Sequence, residues 1–119
     1  PDGRIGWILP VIYRATKVIK NENVNAIIST SPPPSVHLSA KHIAREFHIP
    51  WIADFRDPWT ETIFYQELNR IRIMEKLDRY LESQVLKSTD AVLTVSENIA
   101  ARFKHKYTDI HCEVIPNGY

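Results

Sequence analysis

Hydrophobic positions along this chain recur first at helical spacing and then at strand spacing, and the two periods alternate to its end. Trp7, Val11, Ala15 and Val18, with Ile8, Ile12 and Ile19 alongside, form a helical stripe over Trp7 to Lys20. Pro10 falls in the first turn of that predicted helix, where a missing amide costs little. Asn21-Glu22-Asn23 breaks the stripe. Val24 to Thr30 then reads as a short β-branched strand of the kind covered on both faces. Val36, Leu38, Ala40, Ile43, Ala44 and Phe47 give an apolar face to a helix from about Ser35 to Phe47, which His48-Ile49-Pro50 stops. Trp51 to Phe55 is a second strand, and Pro58 to Tyr65 is irregular and aromatic. Leu68, Ile71, Met74, Leu77, Leu81 and Val85 predict a long amphipathic helix from about Gln66 to Lys87. Ala91 to Val95 is a third strand. Ser96 is placed to cap a helix running to about His105, since its hydroxyl accepts from an orphan backbone N–H. Glu113 to Pro116 is a short fourth strand, and Pro116-Asn117-Gly118 is a turn signal.

Helices alternating with strands predict an α/β domain with a mostly parallel sheet of about four strands and right-handed crossovers. A sheet whose first visible element is a helix is an unusual start, and a missing upstream strand is the simplest explanation.

Composition narrows the function. At 119 residues and 44% hydrophobic, the chain has material for one domain with a real core. A formal net charge of +1 and a pI near 8.4 argue against a nucleic-acid partner, which calls for a strongly basic face. Cys112 is the single cysteine, so no disulfide framework forms, as fits a reducing compartment. No apolar run reaches the roughly 18 residues of a spanning helix, and no secretory signal is visible. His37, His42 and His48 lack a metal-binding spacing, so no metal is expected. His111 and Cys112 are neighbours on a strand, face opposite sides, and cannot form a nucleophile–base pair.

The candidate chemistry concentrates in Trp51-Ile-Ala-Asp-Phe-Arg-Asp-Pro-Trp59. It begins as an apolar strand and ends in two acids, an arginine, a proline and an aromatic. The carboxyl end of a strand in an open α/β sheet is where ligands bind. Asp57 has two readings: a cleft carboxylate that orients or deprotonates a substrate hydroxyl, or an Asp-Pro turn residue. Asp54 and Arg56 share a strand face and pair to stiffen the exit, or Arg56 meets a phosphate or carboxylate with its planar fork. Ser29, Thr30, Ser31 and Ser35 surround Pro32, Pro33 and Pro34 in a stiff loop at the same edge. That loop is either one wall of a binding cleft or a tight strand-to-helix connection. Phe64 reads as core, while Trp59 is open between core and ligand stacking. Arg70, Arg72, Lys76 and Arg79 alternate with Glu67, Glu75, Asp78 and Glu82, which predicts a solvated, salt-bridged helix face in preference to a membrane-binding one.

The succession IISTSPPPSVHL, IPWIADFRDPW, DAVLTVS and VIPNGY resembles the N-terminal domain of family 4 retaining glycosyltransferases, from about Val24 to Tyr119. The resemblance implies a Rossmann-like three-layer domain, the acceptor-side half of a GT-B enzyme. It implies transfer of a sugar from a nucleotide-diphosphate sugar to a glycan or lipid-linked acceptor, with retention and without a cofactor or metal. Asp57 would be the catalytic candidate, and Ser31, Ser35, Arg56 and Trp59 the acceptor-binding ones. Asn117 and Gly118 would lie near the donor. Because the leaving phosphate is thought to take the proton on the same face, Asp57 is not assigned as a nucleophile. A bacterial, cytoplasmic enzyme of cell-envelope polysaccharide synthesis with peripheral membrane contact is the corresponding setting.

The chain departs from the family pattern in its opening. The first strand and its Gly-rich loop are missing, and the chain stops at the crossover to the donor domain, which carries an E-x7-E element. A fragment of this kind is expected to be inactive alone and to self-associate through an exposed edge or apolar surface. A free-standing nucleotide-binding module and a GT-B sugar epimerase are the alternatives. The first is disfavoured because no G-x-G-x-x-G or P-loop occurs.

Overall fold

The computed structural model describes residues 2–60 and 72–118. A short 3-10 turn at Ile5–Trp7 leads into helix α1 (Ile8–Asn21), followed by β1 (Ile27–Ser31), α2 (Val36–Phe47) and β2 (Trp51–Phe55). After residues 61–71 come α3 (Arg72–Ser88), β3 (Ala91–Thr94), α4 (Glu97–Lys106) and β4 (Cys112–Val114). The predicted helical start at Gln66, together with Phe64, Tyr65 and Arg70, lies outside the described residues. Pro10 sits in the first turn of α1, as its spacing predicts. Ser96 caps α4 by accepting from Ile99 N–H at 3.3 Å.

The four strands form one parallel sheet in the order β1-β2-β3-β4. Every crossover therefore steps in the same direction. With right-handed connections, successive crossover helices must fall on one face. They do: the Ser29 hydroxyl meets His37 of α2, and the Phe55 ring meets Phe103 of α4 edge-on at 5.2 Å. Val85 and Leu86 of α3 join the same core as Trp51, Ala53, Phe55 and Val92. Among the described residues the α/β layers are thus the sheet and one helical layer, with α1 packed against α2.

This one-sided packing corrects the reading of the first strand. Ile28 is 64% exposed and Thr30 is exposed, whereas Ser29 and Ser31 are buried. The β-branched run does not mark a strand covered twice by the described residues, because side chains alternate across the pleat and only one face meets helices among them.

The long helix holds a second correction. Asp78 and Glu82 do not belong to a solvated face: they are 0% and 1% exposed. Leu77 is 39% and Met74 36% exposed. The face of α3 turned to the core is Asp78, Glu82, Val85 and Leu86, one step round from the apolar stripe. In α1, likewise, Ile8, Val11, Ile12, Ala15 and Ile19 are half-buried, but Trp7 and Val18 point outward.

Candidate functional site

The strand register aligns Thr30, Asp54, Leu93 and Glu113 in one row across the sheet. With strands about 4.8 Å apart, the row spans about 14 Å. These side chains belong to the face that meets no helix among the described residues, near the carboxyl ends of the strands. Arg56 continues that face from β2, its Nε 3.9 Å from Asp54 Oδ2. The pairing expected from the two-residue spacing is therefore present, as a long contact on the sheet's open side. The Arg56 side chain is 56% exposed, so most of its fork remains accessible. Asp57 follows immediately and is exposed.

Beneath this exit the loop is anchored on the helical side. Trp59 is 5% exposed and belongs to the core, and Thr60 is 7% exposed. Thr60 Oγ1 donates to the Glu82 carboxylate at 3.2–3.3 Å, and Lys106 Nζ of α4 lies 3.7 Å from Glu82 Oε1. Arg56-Asp57-Pro58-Trp59-Thr60 is thus a loop whose last two residues are buried and whose first two are offered to solvent. Sequence reading missed the part of Glu82. Its spacing of four from Asp78 was visible, but charge alternation points outward.

The proline loop forms the neighbouring part of the edge. The Ser31–Pro32 and Pro32–Pro33 peptide bonds are both cis. Ser31 is 1% exposed, and its hydroxyl donates to the Asp54 carbonyl at 3.4 Å, tying β1 to β2. Ser35 is 4% exposed and precedes α2, yet its hydroxyl does not cap that helix. Instead Asp2 caps it: Ser35 N–H donates to Asp2 Oδ2 at 2.7 Å and Ser35 Oγ–H to Asp2 Oδ1 at 2.9 Å. A carboxylate at a helix N-terminus satisfies an orphan donor and faces the positive end of the dipole. The partner is 33 residues away, so no local pattern announces it. A groove of about 220 Å³ between α1 and α2 opens beside this loop, lined by Trp7, Ile8, Val11, Pro33 and Val36 among others.

Below the edge lies a buried polar network. Trp51 Nε1–H donates to Ser29 Oγ at 2.8 Å, and Ser29 Oγ lies 2.7 Å from His37 Nδ1. His37 is fully buried, stacks on Phe55 at 4.3 Å, and has no partner for Nε2. Burial lowers its pKa from 6.5 to about 3, so it is neutral at physiological pH. Enclosed in this way, the Ser29–His37 pair stiffens the floor under the proline loop.

Asn117 and Gly118 follow β4 and are exposed. Cys112 is buried while its neighbour His111 is exposed, so the two do face opposite ways. Burial pushes the Cys112 thiol up, which leaves it protonated and unreactive. Among the described residues no cluster of His, Cys, Asp or Glu could hold a metal ion, and no helix is long and apolar enough to cross a membrane.

The four-stranded parallel sheet with its crossover helices is a Rossmann-like α/β domain, and an exposed arginine and an exposed carboxylate follow its second strand. The whole chain, residues 1–119, matches the model of Glycosyltransferase Family 4, and the protein belongs to that family. Its substrates are accordingly a sugar donor and an acceptor. No curated protein matches the chain.

Proposed function

We propose that this domain is the acceptor-side half of a retaining glycosyltransferase that uses a nucleotide-diphosphate sugar and a glycan or lipid-linked acceptor. The observation that carries the proposal is the exit of β2. A central strand, Trp51–Phe55, with Trp51, Ala53 and Phe55 buried in the core, delivers an exposed Arg56 and an exposed Asp57 to the carboxyl edge. The following Trp59 and Thr60 are fixed in the core. Rigid anchoring on both sides lowers the ordering cost of using the two charged groups.

In this reading Asp57 accepts a hydrogen bond from the acceptor hydroxyl and orients its oxygen toward the anomeric carbon. The leaving phosphate removes the proton on the same face, so Asp57 forms no covalent intermediate. Arg56, held by Asp54, offers its guanidinium to a phosphate or carboxylate of the bound molecules. Ser31, Ser35 and Trp59 act as the frame of the acceptor wall. Asn117 and Gly118 lie toward the donor, which a second domain holds. In this reading the enzyme works in the bacterial cytoplasm, in cell-envelope polysaccharide synthesis.

The test is Asp57→Asn in a longer protein that carries this chain. Release of nucleoside diphosphate and transfer of sugar should fall about a hundredfold or more. The melting temperature should hold, because Asp57 is exposed. Wild-type turnover in Asp57→Asn removes the assignment. Calorimetry with nucleotide sugars separates the whole from the half. Binding to the longer protein and not to residues 1–119 supports the acceptor-side reading. Tight binding by residues 1–119 favours a self-sufficient nucleotide-binding module.

A further inference from the structure

A cleft of about 590 Å³ opens where the ends of α2 and α3 meet the start of β2, lined by Lys41, Arg45, His48, Trp51, Lys87 and Asp90 among others. Its size is that of a small-molecule site. The cleft lies at the amino ends of the strands. β2 runs about 13 Å from Trp51 to Phe55, so the cleft and the Arg56–Asp57 exit occupy opposite edges of the sheet. Three cations, Lys41, Arg45 and Lys87, line it against one acid, Asp90. One oxygen of that acid is already used: Asp90 Oδ2 accepts from Trp51 N–H at 2.8 Å, joining the starts of β2 and β3. Glu46, the acid of α2, meets His42 at 3.2 Å. Among the described residues no carboxylate forms an ion pair with Lys41, Arg45 or Lys87.

Helix ends alone do not account for these cations. The closing carbonyls are met from their own chain: Ile49 N–H donates to the Ala44 carbonyl at 3.1 Å, Thr89 N–H to that of Val85 at 3.0 Å, and the Ser88 hydroxyl to that of Gln84. A cation complements the helix dipole only within the last turn, and Lys41 lies at the middle of α2. Its Nζ donates instead to the neutral Gln84 Oε1 of α3 at 3.3 Å, which fixes its place without cancelling its charge. His48 lines the same cleft with left-handed backbone, φ 52°, a conformation costly for a residue with a Cβ.

We infer that this cleft binds a diphosphate group, with the Arg45 fork and the Lys41 and Lys87 ammoniums around its oxygens. Guanidinium and ammonium groups make charge-assisted hydrogen bonds to phosphate, and Arg does so with two N–H groups at once. A concave site lined by one sign of charge concentrates such an anion. Three separate cations across a cleft of this size suit two linked phosphates better than one. The site goes beyond the acceptor-side reading and does not depend on it.

The experiment is titration of the full chain with inorganic diphosphate, read by calorimetry and by amide chemical shifts, with orthophosphate and chloride at matched ionic strength as comparisons. The expected result is saturable binding of one diphosphate, tighter than that of orthophosphate, with shifts concentrated at Lys41, Arg45, His48 and Lys87. Lys41→Gln with Lys87→Gln should weaken it about tenfold or more, and Arg56→Gln should leave it unchanged. Circular dichroism verifies that each variant is folded. Arg45→Gln, at an exposed position, should by itself weaken binding about threefold or more, and it stands in for the double variant if that one does not fold. Absence of saturable binding overturns the inference, as does equal binding of orthophosphate or chloride, which would mark charge without a site. Wild-type affinity in the lysine variant, or loss of binding in Arg56→Gln, would move the anion to the carboxyl edge and overturn it too. A nucleotide sugar bound at that edge would survive the lysine variant, so the two readings fail separately.

Discussion

Glu82 receives the hydroxyl of Thr60 at 3.2–3.3 Å although 22 residues separate them and both are buried. With Lys106 Nζ at 3.7 Å, this carboxylate joins the loop after β2 to α3 and α4. Removing the carboxylate leaves the buried Thr60 hydroxyl without its acceptor and a cavity in the core, while the exposed Lys106 ammonium returns to water. Glu82→Ala should therefore cost about 1–3 kcal/mol in urea unfolding, and Glu82→Gln less, because the amide still meets Thr60. A Glu82→Ala midpoint equal to wild type would show that the contact contributes nothing.

Acid should destabilise the fold through His37. Its pKa is about 3 in the folded protein and 6.5 as the ordinary value. Between those values the unfolded chain binds a proton that the native state refuses, so stability rises with pH across that window and levels off above it. By pH 5 the loss is about 2 kcal/mol relative to neutral pH. Melting curves of His37→Gln should show a shallower slope from pH 7 to 5 than wild type. Parallel slopes would remove His37 as the cause.

His48 ends α2 in the left-handed region, with φ 52° and ψ 44°. A Cβ is disfavoured there, and glycine occupies the position without that penalty. His48→Gly should stabilise the domain by about 0.5–1 kcal/mol, read as an increase in the denaturation midpoint. Destabilisation would mean that the His48 side chain makes a contact worth more than the strain.

The two serines that precede helices should respond differently from their apparent equivalence. Ser96→Ala removes a true cap and should cost about 1 kcal/mol. At Ser35 the cap is Asp2, so Asp2→Ala should destabilise the start of α2 by about 0.5–2 kcal/mol. Hydrogen exchange of the Ser35 amide reads this directly, and an unchanged rate in Asp2→Ala would contradict the assignment.

Order and direction of the elements were legible in the sequence. Apolar spacing locates Ile8–Asn21, Val36–Phe47 and Trp51–Phe55 to within a few residues, because a helix or strand must turn one face to the core whatever its neighbours are. The Ser96 cap and the paired Asp54 and Arg56 were legible for the same reason: their partners are two or three residues away. That β2 ends in exposed charged residues was also readable, since a strand packed into the core has no use for Arg56 and Asp57.

What only the tertiary structure decided is which side of each element meets another. The order β1-β2-β3-β4 sends every crossover helix to one face, leaving Ile28 exposed and burying Ser29 against Trp51 and His37. Asp78 and Glu82 read as surface because charge is costly to bury; Thr60 and Lys106, distant in sequence, make Glu82 at home in the interior. Asp2 became the cap of α2, and Trp7 became an outward aromatic, through the packing of α1 on α2. Local periodicity fixes a residue's angle about its own axis. Long-range contacts fix what lies in that direction, and these need the closed chain.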